Sequence, residues 1–216
     1  MLDLRHSGVQ HFALPHGPME VLIDAAGAQP PRGIALIAHP QPLLGGSARH
    51  KLPQFLAQAL CQAGWSTLRP NFRGVGDSAG QYDHGQGEAQ DLYALYQAVR
   101  SAQPDLPIAL LGISFGAFVQ ALLAERLQQQ GQPAARLVLA AMPCGQVNAQ
   151  RHYATPDAIG APLVIHGEHD TSVPLPLVLD WARPRSHPVL VVPGASHLFT
   201  GKLPLLRELV LRHLQA

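Results

Sequence analysis

Charged side chains are scarce in this sequence. Asp, Glu, Lys and Arg make up 13% of its 216 residues, about half of ordinary usage. They nearly cancel, 15 basic against 14 acidic, for a formal net charge of +1. Such a balance carries no basic field for nucleic acid or for an anionic membrane surface. It leaves burial of apolar groups, 47% of the chain, as the main source of stability, and it predicts poor colloidal solubility. Cysteine is scarcer still, with Cys61 and Cys144 alone. Two cysteines close at most one disulfide and supply no thiolate zinc site. No uncharged apolar run reaches about 18 residues, so nothing reads as membrane-spanning. The opening Met1-Leu2-Asp3-Leu4-Arg5-His6 has no apolar stretch of signal-peptide length. The expected address is the cytoplasm, with reduced thiols and with neither membrane nor nucleic acid as a partner.

What is present is an alternation. Residues 9–14 and 19–24 read as a hairpin around Pro15-His16-Gly17-Pro18. Unbroken apolar runs at 33–38 and 107–111 read as strands covered on both faces, as in a parallel sheet. Shorter strands are expected at 65–68, 135–140, 163–166 and 189–192. Helices are expected at 51–63, 87–101, 114–130 and 203–214, from apolar residues at helical spacing. A long glycine-bearing loop fills 69–86, and residues 143–160 read as irregular with a short helical piece. Strand and helix alternating after a hairpin predict one α/β domain over residues 1–216, its sheet mostly parallel and extended by antiparallel edge strands.

The sharpest chemical signal is Gly112-Ile113-Ser114-Phe115-Gly116 between a buried strand and an apolar helix. Gly-x-Ser-x-Gly in that context is a nucleophile elbow. The strand turns into the helix within about two residues, and the serine is lifted onto a strained peak. The glycines flank it because side chains there would strike the neighbouring strand or helix. The segment has no following Lys for a phosphate loop, and it fails the dinucleotide fingerprint.

An activated serine needs a base and an orienting acid. Asp170 ends the strand-and-turn run Leu163-Val164-Ile165-His166-Gly167-Glu168-His169-Asp170, and His197 follows the last strand in Pro193-Gly194-Ala195-Ser196-His197. Both fall beyond the same end of the sheet as Ser114, in the chain order serine, acid, histidine. Asp157 and Asp180 are weaker candidates, since no strand precedes either. His166, His169 and Asp170 have one alternative reading, as metal ligands, but they share a single loop and lack a distant fourth ligand. No metal or cofactor is expected. Two backbone amides are expected to hold an oxyanion. One is Phe115, after the nucleophile. The other is Gln41, the best donor in the first half of loop 39–46 because Pro40 and Pro42 have no N–H. Arg73 is read mainly as a structural residue pairing with a carboxylate such as Asp77, and otherwise as an anchor for an anionic substrate group. Glu88 and Asp91 read as first-turn acids favoured by the helix dipole.

Together these segments resemble the α/β-hydrolase superfamily, and more narrowly the small lidless bacterial hydrolases related to dienelactone hydrolases and short-chain carboxylesterases. The resemblance rests on Ala38-His39-Pro40, Gly45-Gly46, Asn71-Phe72-Arg73-Gly74-Val75-Gly76, the elbow, His166-Gly167-Glu168-His169-Asp170 and Gly194-Ala195-Ser196-His197. It implies Ser114 as nucleophile, Asp170 as acid, His197 as base and the Phe115 amide as oxyanion donor. Many relatives have His-Gly where this chain has His39-Pro40, so Gln41 matches less closely. Dienelactone hydrolases carry a cysteine where Ser114 stands, which argues against their particular reaction. Larger relatives insert a cap before the acid strand. The 20 or so residues from Met142 to Ala161 are too few for a large helical lid, which predicts a shallow, open cleft.

The expected activity is hydrolysis of small carboxylic esters through an acyl-enzyme. Thioester or amide cleavage by the same groups is the nearest alternative, and a non-catalytic binding protein of the same fold is another. The expected partner is a small ester substrate, with a homodimer left open.

Overall fold

The computed structural model describes residues 2–27 and 30–215. The chain opens with strands β1 (Gly8–Leu14) and β2 (Gly17–Asp24), then β3 (Gly33–Ala38), helix α1 (Lys51–Gln62) and β4 (Trp65–Pro70). Next come α2 (Gln86–Ala102), β5 (Ile108–Ile113), α3 (Phe115–Gln129) and β6 (Arg136–Ala140). A short ribbon, β7 (Gly145–Asn148) and β8 (Arg151–Tyr153), precedes β9 (Leu163–Gly167), α4 (Leu175–Ala182), β10 (Val189–Val192) and α5 (Leu203–Gln215). The main sheet runs β1-β2-β4-β3-β5-β6-β9-β10. The first hairpin is antiparallel and joins β4 antiparallel, and every later pairing is parallel. This is the α/β-hydrolase fold with antiparallel strands at its amino-terminal edge.

The period of two in a strand explains why the central runs are apolar throughout. Ile34, Leu36, Ile108 and Leu110 face α2 and α3, meeting Leu92, Leu95, Phe118 and Leu127. Their neighbours Ala35, Ile37, Ala109 and Leu111 face α1 and α5, meeting Leu56, Leu60, Leu206 and Val210. Each such leucine withdrawn from water contributes about 1.5–3 kcal/mol before chain entropy is counted. Helix α3 is apolar around most of its circumference because it is buried, with Ala117, Val119, Ala121 and Leu127 all at 0% exposure.

Three local differences from the sequence reading have physical causes. Residues 143–160 contain no helical piece but the antiparallel ribbon β7–β8, its turn held by the Asn148 carboxamide accepting from the amides of Gln150 and Arg151, both at 3.0 Å. Helix α4 escaped the reading because prolines stand at its N-cap, Pro174, and near its start, Pro176. Proline is tolerated there, where the N–H has no intrahelical partner. Strand β4 runs on through Arg69 because that guanidinium is satisfied inside, donating to Asp24 Oδ1 and Oδ2 at 3.0 Å and to the Ala48 carbonyl at 2.8 Å.

Candidate active site

Strand β5 ends at Ile113 and α3 begins at Phe115, so Ser114 alone makes the turn, at φ 53° and ψ −122°. A non-glycine residue held there stores about 1–3 kcal/mol of strain. The surroundings enforce it: the Ser114 amide donates to the Ala140 carbonyl at 2.9 Å, and its carbonyl accepts from Ala117 at 2.8 Å. The flanking glycines are required by contact. A Cβ on Gly112 would lie 2.3 Å from Ala117 Cα, and one on Gly116 would lie 2.3 Å from the Ala38 carbonyl oxygen.

The loops after β9 and β10 bring Asp170 and His197 to this serine. They are joined to each other: the Glu168 carboxylate accepts from the Gly194 amide at 2.7 Å, and the His169 amide donates to the Ala195 carbonyl at 2.9 Å. His197 Nδ1 lies 2.7 Å from Asp170 Oδ2, and its Nε2 lies 2.8 Å from Ser114 Oγ. A carboxylate only accepts, so Nδ1 carries the ring proton. Nε2 is then free to accept from the serine hydroxyl. The Asp170 side chain is fully buried. Burial alone would raise its pKa. The hydrogen bond and charge of His197, with the Val173 amide and His166, outweigh that and hold it below the ordinary carboxylate value. Its Oδ1 accepts from the amides of Ser172 at 2.9 Å and Val173 at 2.8 Å.

The loop after β3 lies beside the elbow, its path fixed by His39. That ring is fully buried. Its Nδ1 donates to the Pro40 carbonyl at 2.7 Å and its Nε2 accepts from the Phe72 amide at 3.1 Å, so one neutral tautomer satisfies both nitrogens. Burial pushes its pKa down to about 4. The Gln41 carbonyl accepts from Leu44 at 3.1 Å and Gly46 at 2.9 Å, closing a tight turn. The Gln41 side chain donates to the hydroxyls of Tyr82 at 3.3 Å and Tyr153 at 3.2 Å. Those two rings pack against Phe115, with centroids 5.4 and 6.5 Å away. Among the described residues the backbone amides of Phe115 and Gln41 donate to no group. Tyr82 and Tyr153 are not singled out by the sequence, and His39 is named there only within the Ala38-His39-Pro40 segment, with no role of its own. For His39, its place directly after a buried strand was the available signal.

Other sequence readings change. Arg73 pairs with Asp91, through bonds of 2.7 and 2.9 Å, rather than with Asp77. Asp83 stands 3.8 Å away, and Asp91 also meets His16 Nε2 at 3.4 Å. With its guanidinium so engaged, Arg73 ties the 71–85 loop to α2. Asp91 is thus an ion-pair partner rather than a dipole acid. Glu88 caps α2, accepting from the amides of Asp83 and Gly85 at 2.8 Å each. His166 is sealed in the core while His169 is exposed beside Glu168, and among the described residues no three His, Cys, Asp or Glu side chains are grouped to hold a metal ion. Cys61 and Cys144 are free thiols, and burial pushes Cys144 up to about 12. A cleft of about 330 Å³ lined by Gln128, Arg136, Ile159 and His213 lies at the amino-terminal end of β6. The polar groups described above converge at the opposite, carboxyl-terminal edge, where ligands bind in open α/β sheets.

Comparison with known proteins agrees with this architecture. Residues 30–160, more than half of the chain, match the Hydrolase_4 family, described as serine aminopeptidase, S33. An α/β serine hydrolase homologue from Coxiella burnetii is 36% identical, with a TM-score of 0.82 over 96% of this chain and 97% of that one. An α/β serine hydrolase without a lid from Xanthomonas campestris is 32% identical, with a TM-score of 0.84 over 99% and 95%. Protein RP471 of Rickettsia prowazekii (strain Madrid E) is 31% identical over 203 residues, 89% of this chain and 82% of its own. Among the described residues no helix is long and apolar enough to cross a membrane.

Proposed function

Since the chain belongs to the Hydrolase_4 (serine aminopeptidase, S33) family of α/β serine hydrolases, we propose that it cleaves small carboxylic esters through an acyl-enzyme formed on Ser114. The observation that carries this reading is the unbroken hydrogen-bond line from Ser114 Oγ through His197 to Asp170, at 2.8 and 2.7 Å. As His197 Nε2 takes the serine proton, Oγ attacks the ester carbonyl. Asp170 holds the imidazole in its productive tautomer and stabilises the imidazolium. The carbonyl oxygen, now negative, is received by the amides of Phe115 and Gln41. His197 then protonates the leaving alcohol. Water enters, gives its proton to His197 and releases the acid, which restores Ser114.

Small substrates fit a cleft that has only the β7–β8 ribbon where a lid would stand. The two free thiols fit a reducing cytoplasm. Amide hydrolysis is a second reading, favoured by the family's aminopeptidase description. A fluorophosphonate probe tests the common chemistry: stoichiometric labelling of wild type and none of Ser114→Ala is the expected result. Equal labelling of both proteins would remove Ser114 as the nucleophile, and a folded wild type that takes no label would favour a binding protein. A panel of p-nitrophenyl esters, thioesters and aminoacyl amides then separates the leaving groups, with the esters expected to be turned over fastest.

A further inference from the structure

A second histidine stands against Asp170. His166 lies on β9, four residues before the aspartate, and is fully buried. Its Nε2 is 2.9 Å from the Val173 carbonyl oxygen and 3.4 Å from Asp170 Oδ2. Both neighbours accept, so Nε2 carries the proton. Nδ1 is buried without a partner, and a second proton placed there would be a sealed donor with nothing to bond. Burial accordingly holds the ring below the ordinary histidine value, against the opposing pull of the Val173 carbonyl and Asp170. His166 is a neutral ring with one fixed tautomer.

Val173 closes the circuit. Its amide donates to Asp170 Oδ1 at 2.8 Å while its carbonyl accepts from His166. The ring thus braces the 170–173 turn from behind. Its N–H edge also lies against the same carboxylate oxygen that receives His197 Nδ1 at 2.7 Å. The charged or titratable groups acting on this cluster are its own members, Asp170, His166 and His197. Glu168 turns outward to the Gly194 amide.

We infer that His166 is a positioning residue for the hydrolytic site, holding Asp170 in line with His197 and drawing off part of the charge on Oδ2. The inference rests on the reading of Ser114, His197 and Asp170 as the reacting groups. Removing the ring N–H has two effects. The 170–173 turn loses its brace, so the carboxylate drifts from its line with His197. Oδ2 also loses the N–H edge that faces it at 3.4 Å, so the charge that His197 meets on it changes.

The test uses His166→Gln, whose Nε2 keeps a donor near the Val173 carbonyl, beside His166→Leu and His166→Asn, which lack one at that reach. Each variant is first checked for cooperative thermal unfolding, then assayed on p-nitrophenyl acetate across pH. For Leu and Asn, kcat should fall about tenfold to a hundredfold, the scale of a misplacement of an ångström or less. KM should change little, and the acid limb of kcat/KM should move from its wild-type position. Gln should restore both kcat and the limb. Folded Leu and Asn variants with wild-type kcat and an unmoved limb would overturn the inference, as would a Gln variant as defective as Leu. Wild-type protein supplies a check that needs no core substitution. Long-range ¹H–¹⁵N spectra at the assay pH should show one imidazole, absent from His166→Gln, in the neutral Nε2–H form. A His166 ring found there as the Nδ1–H tautomer or as the doubly protonated cation would also overturn it. Wild type that takes no Ser114-dependent fluorophosphonate label defeats the underlying reading. A labelled, active wild type with unaffected His166 variants defeats only the role of His166.

Discussion

Gly167 sits so close beneath Ala195 that a Cβ on the glycine would come within 2.5 Å of the Ala195 carbonyl oxygen. That carbonyl already accepts from the His169 amide at 2.9 Å, so the strand carrying Asp170 and the loop carrying His197 meet at backbone distance. Gly167→Ala must push them apart. A loss of about 1–3 kcal/mol is expected, the usual range for overpacking, with kcat/KM down about tenfold to a hundredfold from the altered Asp170–His197 geometry. Urea unfolding and steady-state kinetics measure the two effects. Gly27→Ala, where an added Cβ meets nothing within 4 Å, is the control and should be near neutral. A Gly167→Ala protein of wild-type stability and activity would show that this contact constrains neither loop.

Ser114 offers a test of strain separate from chemistry. Its φ of 53° costs a serine or an alanine alike, while glycine adopts it freely. Ser114→Ala and Ser114→Gly both remove the hydroxyl and should both lose turnover by several orders of magnitude. Glycine also raises the entropy of the unfolded chain by about 0.4–1 kcal/mol relative to alanine, which subtracts from the relief of about 1–3 kcal/mol of strain. Ser114→Gly should therefore unfold at a higher temperature than Ser114→Ala, by the equivalent of about 1 kcal/mol. Calorimetry showing the alanine variant to be the more stable would rule out strain at this turn.

Acid should weaken the fold through its buried and half-buried histidines. His39, His50, His166 and His213 are all held below the ordinary histidine value, chiefly by burial. A group whose folded pKa is depressed takes up its proton in the unfolded chain first. Stability then falls as pH drops below the unfolded value of about 6.5. For His39 the fall continues down to about 4, a span worth about 3 kcal/mol from this one ring. His39→Gln keeps a donor and an acceptor but cannot titrate. Its melting temperature should drop less than that of wild type between pH 7 and pH 4.5, and parallel curves would contradict the assignment.

Much of this architecture could be read from sequence because its pattern is local. The buried strands β3 and β5 announce themselves as apolar runs, and Ser114, Asp170 and His197 each follow a strand in the expected order. What was not legible depends on contacts distant in the chain. Arg73 finds Asp91, 18 residues away, because α2 docks beside the 71–85 loop, and nothing in the nearer Asp77 announced otherwise. Strand geometry likewise decides that His166 turns into the core against Asp170 while His169 turns to solvent, which their spacing alone does not show. Helix α4 was hidden by prolines that its first turn tolerates. The tyrosines that meet Gln41 come from two segments 71 residues apart, and no spacing rule joins Tyr82 to Tyr153.

The Arg73–Asp91 pair separates a structural from a substrate-binding role. The Arg73 side chain is 18% exposed and that of Asp91 7%. Arg73→Met leaves a buried carboxylate with His16, at 3.4 Å, as its remaining basic partner among the described residues, and a loss of about 3–5 kcal/mol is expected from the uncompensated charge. Arg73→Met with Asp91→Asn should recover part of that loss. KM for neutral and anionic esters should shift together, if at all. A selective rise in KM for anionic esters, with stability unchanged, would restore Arg73 as a substrate anchor.

A cleft open on the lid side predicts a limit on substrate size. Where a cap would stand there is only the ribbon of Gly145–Asn148 and Arg151–Tyr153, and in the loop after β3 Leu43 and Leu44 are 68% and 73% exposed. The turn that holds these leucines out is tight: a Cβ on Gly46 would fall 2.2 Å from the Pro40 carbonyl oxygen, and the Gln41 carbonyl accepts from the amides of Leu44 and Gly46. They offer an apolar shoulder rather than an enclosing slot. Inside a slot, each further methylene buried contributes about 0.8 kcal/mol, close to a fourfold gain in kcat/KM per carbon. On a shoulder the gain stops once the chain passes its edge and returns to water. A series of p-nitrophenyl esters from acetate to palmitate, each kept below its aggregation concentration, should therefore rise over the first few carbons and then level or fall. Leu43→Ser with Leu44→Ser should flatten the early rise and leave acetate hydrolysis largely intact. An optimum at the long-chain end would mean that an acyl channel is completed by some other surface, such as a second subunit roofing the cleft. The shallow-cleft reading would then be wrong for the working enzyme.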